Sequence, residues 1–83
     1  MTAHEDRNRE RVRRVLATTL QLSPADLPPH ADADSVQGWD SLGHLEIIDA
    51  LCEEFGVDID FAVAVRLFGE DAIVAWLDAE GTS

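Results

Sequence analysis

The chain has 83 residues, a formal net charge of −11 at pH 7 and one cysteine. This length supports one small hydrophobic core and a single cysteine excludes an intramolecular disulfide, so we expect one domain over residues 1–83, frayed near 1–5 and 80–83. Because the sequence has no signal-like segment and no apolar run of about 18 residues, we expect a cytoplasmic monomer without a membrane partner.

The charge is distributed unevenly along the chain. Residues 1–14 hold five arginines and three acids, whereas residues 15–83 hold fourteen acids and one arginine. A negative field repels phosphate backbones and attracts surfaces rich in Lys and Arg, so nucleic acid is not an expected partner. The alternative is that the acidity only keeps a small protein soluble.

The first segment carries one apolar helical stripe, formed by Val12, Val15, Leu16, Thr19 and Leu20. This spacing predicts a helix from about residue 6 to 21. We interpret the arginines on its other positions as a solvent-exposed face with Glu5, Asp6 and Glu10 as local partners.

Residues 22–39 show no period, and three prolines exclude a long helix. Residues 23–26 predict a single turn, with Ser23 as its cap and a proline at the first helical position. A loop of this length is typically pinned by its own side chains, and Leu27, Val36 and Trp39 are the expected pins.

The alternating acids of residues 30–35 suggest a calcium loop, but the positions that should hold an oxygen ligand and a glycine hold Val36 and Gln37. We therefore interpret this stretch as a solvated loop. The three histidines, His4, His30 and His44, are too scattered for a metal site and are expected at the surface.

The second helix is predicted over residues 41–55, capped by Asp40 or Ser41 and ended by Gly56. Its expected core arc is Ile47, Ile48, Leu51 and Phe55, which leaves Leu42 as an exposed contact. An acidic row along one side comprises Glu46, Asp49 and Glu53. Cys52 is expected to pack as a small apolar residue, since the surrounding acids oppose a thiolate.

Two further helices are predicted, a brief one over residues 61–67 and a last one over residues 70–79, joined to the second helix by a short extended segment. The last helix offers Ile73, Val74, Trp76 and Leu77 to the core. The sequence thus predicts a small all-α bundle of three main helices, one short helix and a long first loop.

Ser41 and its neighbours do not form a hydrolytic site. A nucleophile elbow needs glycine two residues before the serine, where this chain has Trp39. Asp40, Ser41 and His44 share one helical turn with no distant residue to complete a catalytic site. The serine is better suited to carrying an anionic group, because the helix dipole stabilises negative charge at that end.

The sequence Gly-Trp-Asp-Ser-Leu-Gly-His-Leu-Glu at 38–46, followed by Glu-Glu-Phe-Gly-Val-Asp-Ile at 53–59, resembles the acyl carrier protein family, which includes aminoacyl and peptidyl carriers. The resemblance extends over nearly the whole chain. It implies a four-helix carrier bundle that is not itself an enzyme.

The resemblance also implies a cofactor and partners. A phosphopantetheinyl transferase would use coenzyme A and magnesium to attach 4′-phosphopantetheine to Ser41, assisted by Asp40, and the arm would carry acyl groups as thioesters. Docking to partner enzymes would involve Leu42, Leu45, Glu46, Asp49 and Glu53. The implied partners are acyltransferases, ketosynthases, or adenylating and ligase enzymes with basic docking surfaces.

The chain departs from many fatty-acid carriers in three features: an apolar segment at residues 61–67, Trp39 before the Asp-Ser-Leu motif, and a composition without lysine. The apolar segment argues against a general fatty-acid role and suggests a more hydrophobic partner surface or acyl cavity. The other two features resemble carriers of specialised metabolism, so we expect a free-standing carrier in polyketide or related specialised metabolism. An aminoacyl or peptidyl carrier is the nearest alternative, and an unmodified acidic helical adaptor is a more distant one.

Overall fold

The computed structural model describes residues 3–80, and the side chains of residues 7–80. Four helices follow in chain order: α1 Ala3–Thr19, α2 Ser41–Phe55, α3 Phe61–Ala64 and α4 Glu70–Ala79. A single 3-10 turn, Pro24–Asp26, lies in the loop between α1 and α2. Residues 3–80 contain no β-strand, so the predicted all-α fold is confirmed.

Helix α1 begins three residues earlier and ends two residues earlier than the sequence predicts. The predicted apolar stripe faces the core, since Val12 and Leu16 are fully buried. The helix ends early because Gln21 takes a left-handed φ of 58°, and Leu22 N–H then donates to the oxygen of Ala17 at 2.8 Å. Glycine usually occupies such a position, and no glycine marks it here.

The expected frayed ends are only partly within the described residues. Residues 3–5 belong to α1, and Glu80 follows the last turn of α4. Residues 1–2 and 81–83 lie outside the described part of the chain, as does the side chain of His4.

Helix α2 has the predicted bounds because both ends carry sequence signals. At its start, Gly43 N–H donates to Oδ1 of Asp40 at 2.9 Å, so Asp40 is the cap. At its end, Gly56 has the left-handed φ of 64° that closes the helix. The predicted core arc of α2 is buried throughout: Ile47, Ile48, Leu51 and Phe55.

Helix α3 is shorter than predicted and α4 has the predicted bounds. Asp60 caps α3 by accepting a hydrogen bond from Val63 N–H at 2.9 Å, and the helix ends at Ala64 rather than residue 67. The residues of α4 expected in the core are Ile73, Val74 and Leu77, which are buried, and Trp76, which is half-buried.

Helix α1 lies between α2 and α4 and packs against both. The long loop closes one end of this arrangement through its buried side chains, Leu27, Ala31, Val36 and Trp39. Backbone bonds tie it to the link before α4: Glu70 N–H donates to Ala31 O at 2.8 Å and Ala33 N–H to Phe68 O at 3.0 Å. The predicted pins of the loop are therefore confirmed.

The arginines of α1 form the predicted solvent-exposed face only in part: Arg7 and Arg14 are exposed, whereas Arg9, Arg11 and Arg13 are half-buried. Glu70 is buried at 1 % exposure and accepts hydrogen bonds from Arg9 at 2.6 Å, from Arg13, and from Ala31 N–H at 3.1 Å. Of the expected local pairs, only Arg14 with Glu10 at 3.2 Å is found in the part of the chain whose side chains are described. Arg9 and Arg13 thus lock α1 onto α4, whereas Arg11 pairs with Glu54 of α2 at 3.2 Å.

Asp71 extends this network to the surface. It accepts hydrogen bonds from Arg9 at 2.8 Å and pairs with Nδ1 of His30 at 2.9 Å. The hydrogen bond with His30, followed by that from Arg9, lowers the pKa of Asp71 below its ordinary value. The hydrogen bonds that Arg9 donates, first to Asp71 and then to Glu70 in order of effect, raise the pKa of Arg9, which stays charged.

Candidate functional site

Ser41 is the first residue of α2 and is exposed to solvent. Its hydroxyl lies where the first N–H groups of the helix have no intrahelical acceptor and the helix dipole is positive. The capping carboxylate of Asp40 stands directly before it and is also exposed. This end of α2 can accommodate a phosphoester on Ser41 without displacing any buried group.

The loop lies tightly against the first turn of α2. A Cβ added at Gly43 would overlap the backbone oxygen of Gly38, so only glycine allows this approach. Gly38 itself has a φ of 95°, which favours glycine. The chain on both sides of Ser41 is therefore held in a fixed path while its hydroxyl remains outside.

His44 is buried at 4 % exposure, so the prediction of a surface histidine is wrong. The indole N–H of Trp39, itself 3 % exposed, donates to Nδ1 of His44 at 2.9 Å. Because an indole N–H is only a donor, Nδ1 must be unprotonated, and Nε2–H of the neutral ring donates to Ala64 O at 2.8 Å. His30, which the sequence also predicts at the surface, is exposed as expected.

Exposed apolar side chains lie on α2 and on residues 61–68, which we call the α3 segment. Leu42 and Leu45 are 68 % and 59 % exposed, so the expectation of an exposed Leu42 is correct. Three further side chains, Phe61, Val65 and Phe68, are exposed as well. The apolar character of residues 61–67 is the sequence signal for such a surface, since so short a helix cannot bury all of its apolar side chains, but it does not single out these three residues.

The acidic row of α2 faces a different part of the surface. Glu46, Asp49 and Glu53 line an open groove of about 660 Å³ between α1 and α2, with Arg11 and Arg14 on the α1 side. Leu42 and Leu45 do not line it. The structure therefore divides the predicted docking residues into an apolar group near Ser41 and an acidic group farther along the helix.

The stretch at residues 30–35 forms a local turn, in which Ser35 N–H donates to Oδ1 of Asp32 at 2.8 Å. Within the described residues, no group of three His, Cys, Asp or Glu side chains is placed to hold a metal ion.

None of the helices in that range is long and apolar enough to cross a membrane. Cys52 is half-buried against the core.

The family model described as the phosphopantetheine attachment site matches residues 10–67, well over half of the chain. The chain belongs to this family. The matched segment of this carrier includes Ser41, the loop before it and α3. A search of the curated proteins finds no match to the chain.

Membership confirms both the predicted resemblance and the predicted cofactor, since the domain is an attachment site for covalent 4′-phosphopantetheine. That group supplies a flexible arm whose terminal thiol forms thioesters. Carrier domains of this family present such an arm to modifying and partner enzymes and do not catalyse the reactions themselves. The exposed hydroxyl at the start of α2 fits an attached phosphoester.

Proposed function

We propose that Ser41 carries the phosphopantetheine arm. The matched segment holds four other hydroxyl side chains, and each is placed less favourably. Ser23 caps the 3-10 turn, and Ser35 exchanges hydrogen bonds with the backbone of Asp32. Thr18 and Thr19 lie in the last turn of α1, where the helix dipole is negative and disfavours a phosphate.

The observation that carries the proposal is therefore the combination found at Ser41: an exposed hydroxyl at an electropositive helix start, inside the matched segment. We propose that Asp40 assists the transferase. Its carboxylate is exposed beside Ser41, and its position is fixed because Oδ1 accepts a hydrogen bond from Gly43 N–H. Leu42 follows the attachment point and presents an apolar contact to an enzyme that must approach it.

We propose that the arm carries acyl intermediates of polyketide or related specialised metabolism to enzymes with basic docking surfaces. The apolar side chains exposed on α2 and the α3 segment support partners with an apolar contact beside the reaction site. The acidic row and the net charge of −11 support partners with a basic rim. Such charges speed encounter more than they increase affinity, which suits a carrier that visits several enzymes.

The test is intact-mass measurement after incubation with coenzyme A, magnesium and a promiscuous phosphopantetheinyl transferase. The wild-type chain is expected to gain one phosphopantetheine, Ser41→Ala is expected to gain none, and Ser35→Ala serves as the matched control that still gains one. Modification of Ser41→Ala would overturn the site. The absence of any gain on folded wild-type protein would instead favour an unmodified acidic adaptor.

A further inference from the structure

Helix α3 has few contacts with the other helices. The extensive helix packing of the described fold joins α1 to α2 and α1 to α4, whereas α3 is four residues long and has no comparable interface. Its segment is attached by the buried side chains of Ala64 and Leu67 and by the half-buried Val63. Apolar burial is not directional, so these apolar contacts alone do not fix how α3 is oriented against α2.

Two groups make directional contacts with this segment: Ala33 N–H in the long loop, which donates to Phe68 O at 3.0 Å, and the ring of His44, which alone among them joins it to α2. The His44 ring receives a hydrogen bond from Trp39 in the loop and donates one to the backbone oxygen of Ala64 at the end of α3. Phe68 stacks on the same ring, with centroids 3.7 Å apart and planes inclined by 14°. One buried imidazole thus joins the loop before Ser41, the first turn of α2, and the segment that follows α3.

The neutral ring is fully used in this position. Nδ1 accepts from an indole that can only donate, and Nε2–H donates to a carbonyl, so both nitrogens are satisfied in one tautomer. Replacing the ring by an apolar side chain would leave a buried indole N–H without its acceptor. His44 lies one helical turn after Ser41, so a change in the position of the His44 ring alters the surface beside the attachment site.

We propose that His44 is a positioning residue: it fixes α3 against the start of α2, so that enzymes meet Ser41 and the exposed side chains of α3 as one rigid surface. This inference rests on the proposed function of Ser41. Phe61, which is 78 % exposed at the start of α3, is the side chain whose contribution to recognition depends most on that orientation.

The structural arm of the test uses the unmodified protein and two-dimensional NMR. In His44→Leu, the Trp39 indole N–H resonance is expected to shift and exchange faster with solvent, and the largest amide shifts outside the mutated turn should fall in residues 61–68. His44→Gln should restore the wild-type pattern, because its amide oxygen accepts and its N–H donates. His30→Gln, at an exposed histidine, is the matched control.

The functional arm measures kcat and KM for phosphopantetheine transfer to Ser41. His44→Leu is expected to raise KM about tenfold, because the transferase then loses binding contacts with α3, with kcat changed by less than about twofold. Phe61→Ala should raise KM in the wild-type background but add little in His44→Leu, because α3 is no longer held in place. His44→Gln should recover most of the wild-type KM.

Two results would overturn the inference: amide shifts in residues 61–68 no larger than those of His30→Gln, or additive effects of Phe61→Ala and His44→Leu on KM. If His44→Leu does not fold, Trp39→Phe replaces it, since it keeps an aromatic ring while it removes the N–H donor together with part of the ring volume. If wild-type protein accepts no phosphopantetheine, the proposed function fails, and the NMR comparison alone decides whether His44 holds α3.

Discussion

Glu70 is a buried charge at which a single change of nearly equal size should destabilise the fold strongly. Its carboxylate is buried at 1 % exposure and accepts hydrogen bonds from Arg9, Arg13 and Ala31 N–H. Glu70→Gln keeps the size of the side chain but removes the charge, and it places an amide N–H against a guanidinium that can only donate. One change therefore weakens the contacts that join α1, the long loop and α4.

The expected cost follows from how far the partners can reach water. Breaking a buried ion pair typically costs about 3–5 kcal/mol because the remaining charge is stranded. The side chains of Arg9 and Arg13 here keep 30 % and 26 % exposure, and Arg13 also donates to backbone oxygens of the loop. We therefore expect a loss of about 2–4 kcal/mol, which corresponds to a fall in Tm of roughly 10–25 °C for a domain of this size.

The assay is urea and thermal unfolding at pH 7, followed by far-ultraviolet circular dichroism. Glu53→Gln is the matched control, since it makes the same chemical change at an exposed position of α2 and should stay within about 0.5 kcal/mol of wild type. A Glu70→Gln protein as stable as this control would refute the reasoning, because it would show that the buried carboxylate contributes no more than a surface one.

Three further outcomes follow from the structure. Gly43→Ala should destabilise the fold by about 1–3 kcal/mol in thermal unfolding, since the steric overlap with the loop outweighs a helix-propensity gain of about 0.5–1 kcal/mol, and an unchanged Tm would contradict the close approach. Asp71→Asn should cost at most about 1 kcal/mol at pH 7, because the site is exposed. The pKa of Asp71 is lowered in the folded state, by the hydrogen bond with His30 above all, so the charged side chain stabilises the fold at pH values above the unfolded pKa. The difference in unfolding free energy between Asp71→Asn and wild type should therefore vanish as the pH falls below the lowered pKa. A difference that grows at low pH would contradict the assignment. Glu46→Lys with Glu53→Lys should slow transfer by partner enzymes about tenfold at low salt with an unchanged helix signal, and persistence of the effect at high salt would argue against electrostatic steering.

The bounds of α2 are predicted correctly because both of its ends carry their own chemistry. Helix α2 has a capping acid at its start and a left-handed glycine at its end, so both bounds are visible without tertiary information. The end of α1 was misplaced because Gln21 adopts a conformation that glycine usually marks. Residue type predicts a helix end only where the usual residue is present.

The errors at the site have a different origin. Helical spacing does not reveal that His44 is enclosed, because that depends on a donor in the preceding loop and an acceptor twenty residues later. The pairing of Arg9 and Arg13 with Glu70 spans about sixty residues and was likewise invisible to local charge patterns. The sequence motif identified the candidate serine, whereas the contacts that hold its surroundings arise from tertiary packing.

The central claim is that this carrier bears its phosphopantetheine on Ser41. The most direct measurement is tandem mass spectrometry of a proteolytic digest made after transferase treatment, which localises the added group to one residue. The account predicts the group on Ser41 alone. Its presence on Ser23, Ser35 or a threonine of α1 would contradict the claim.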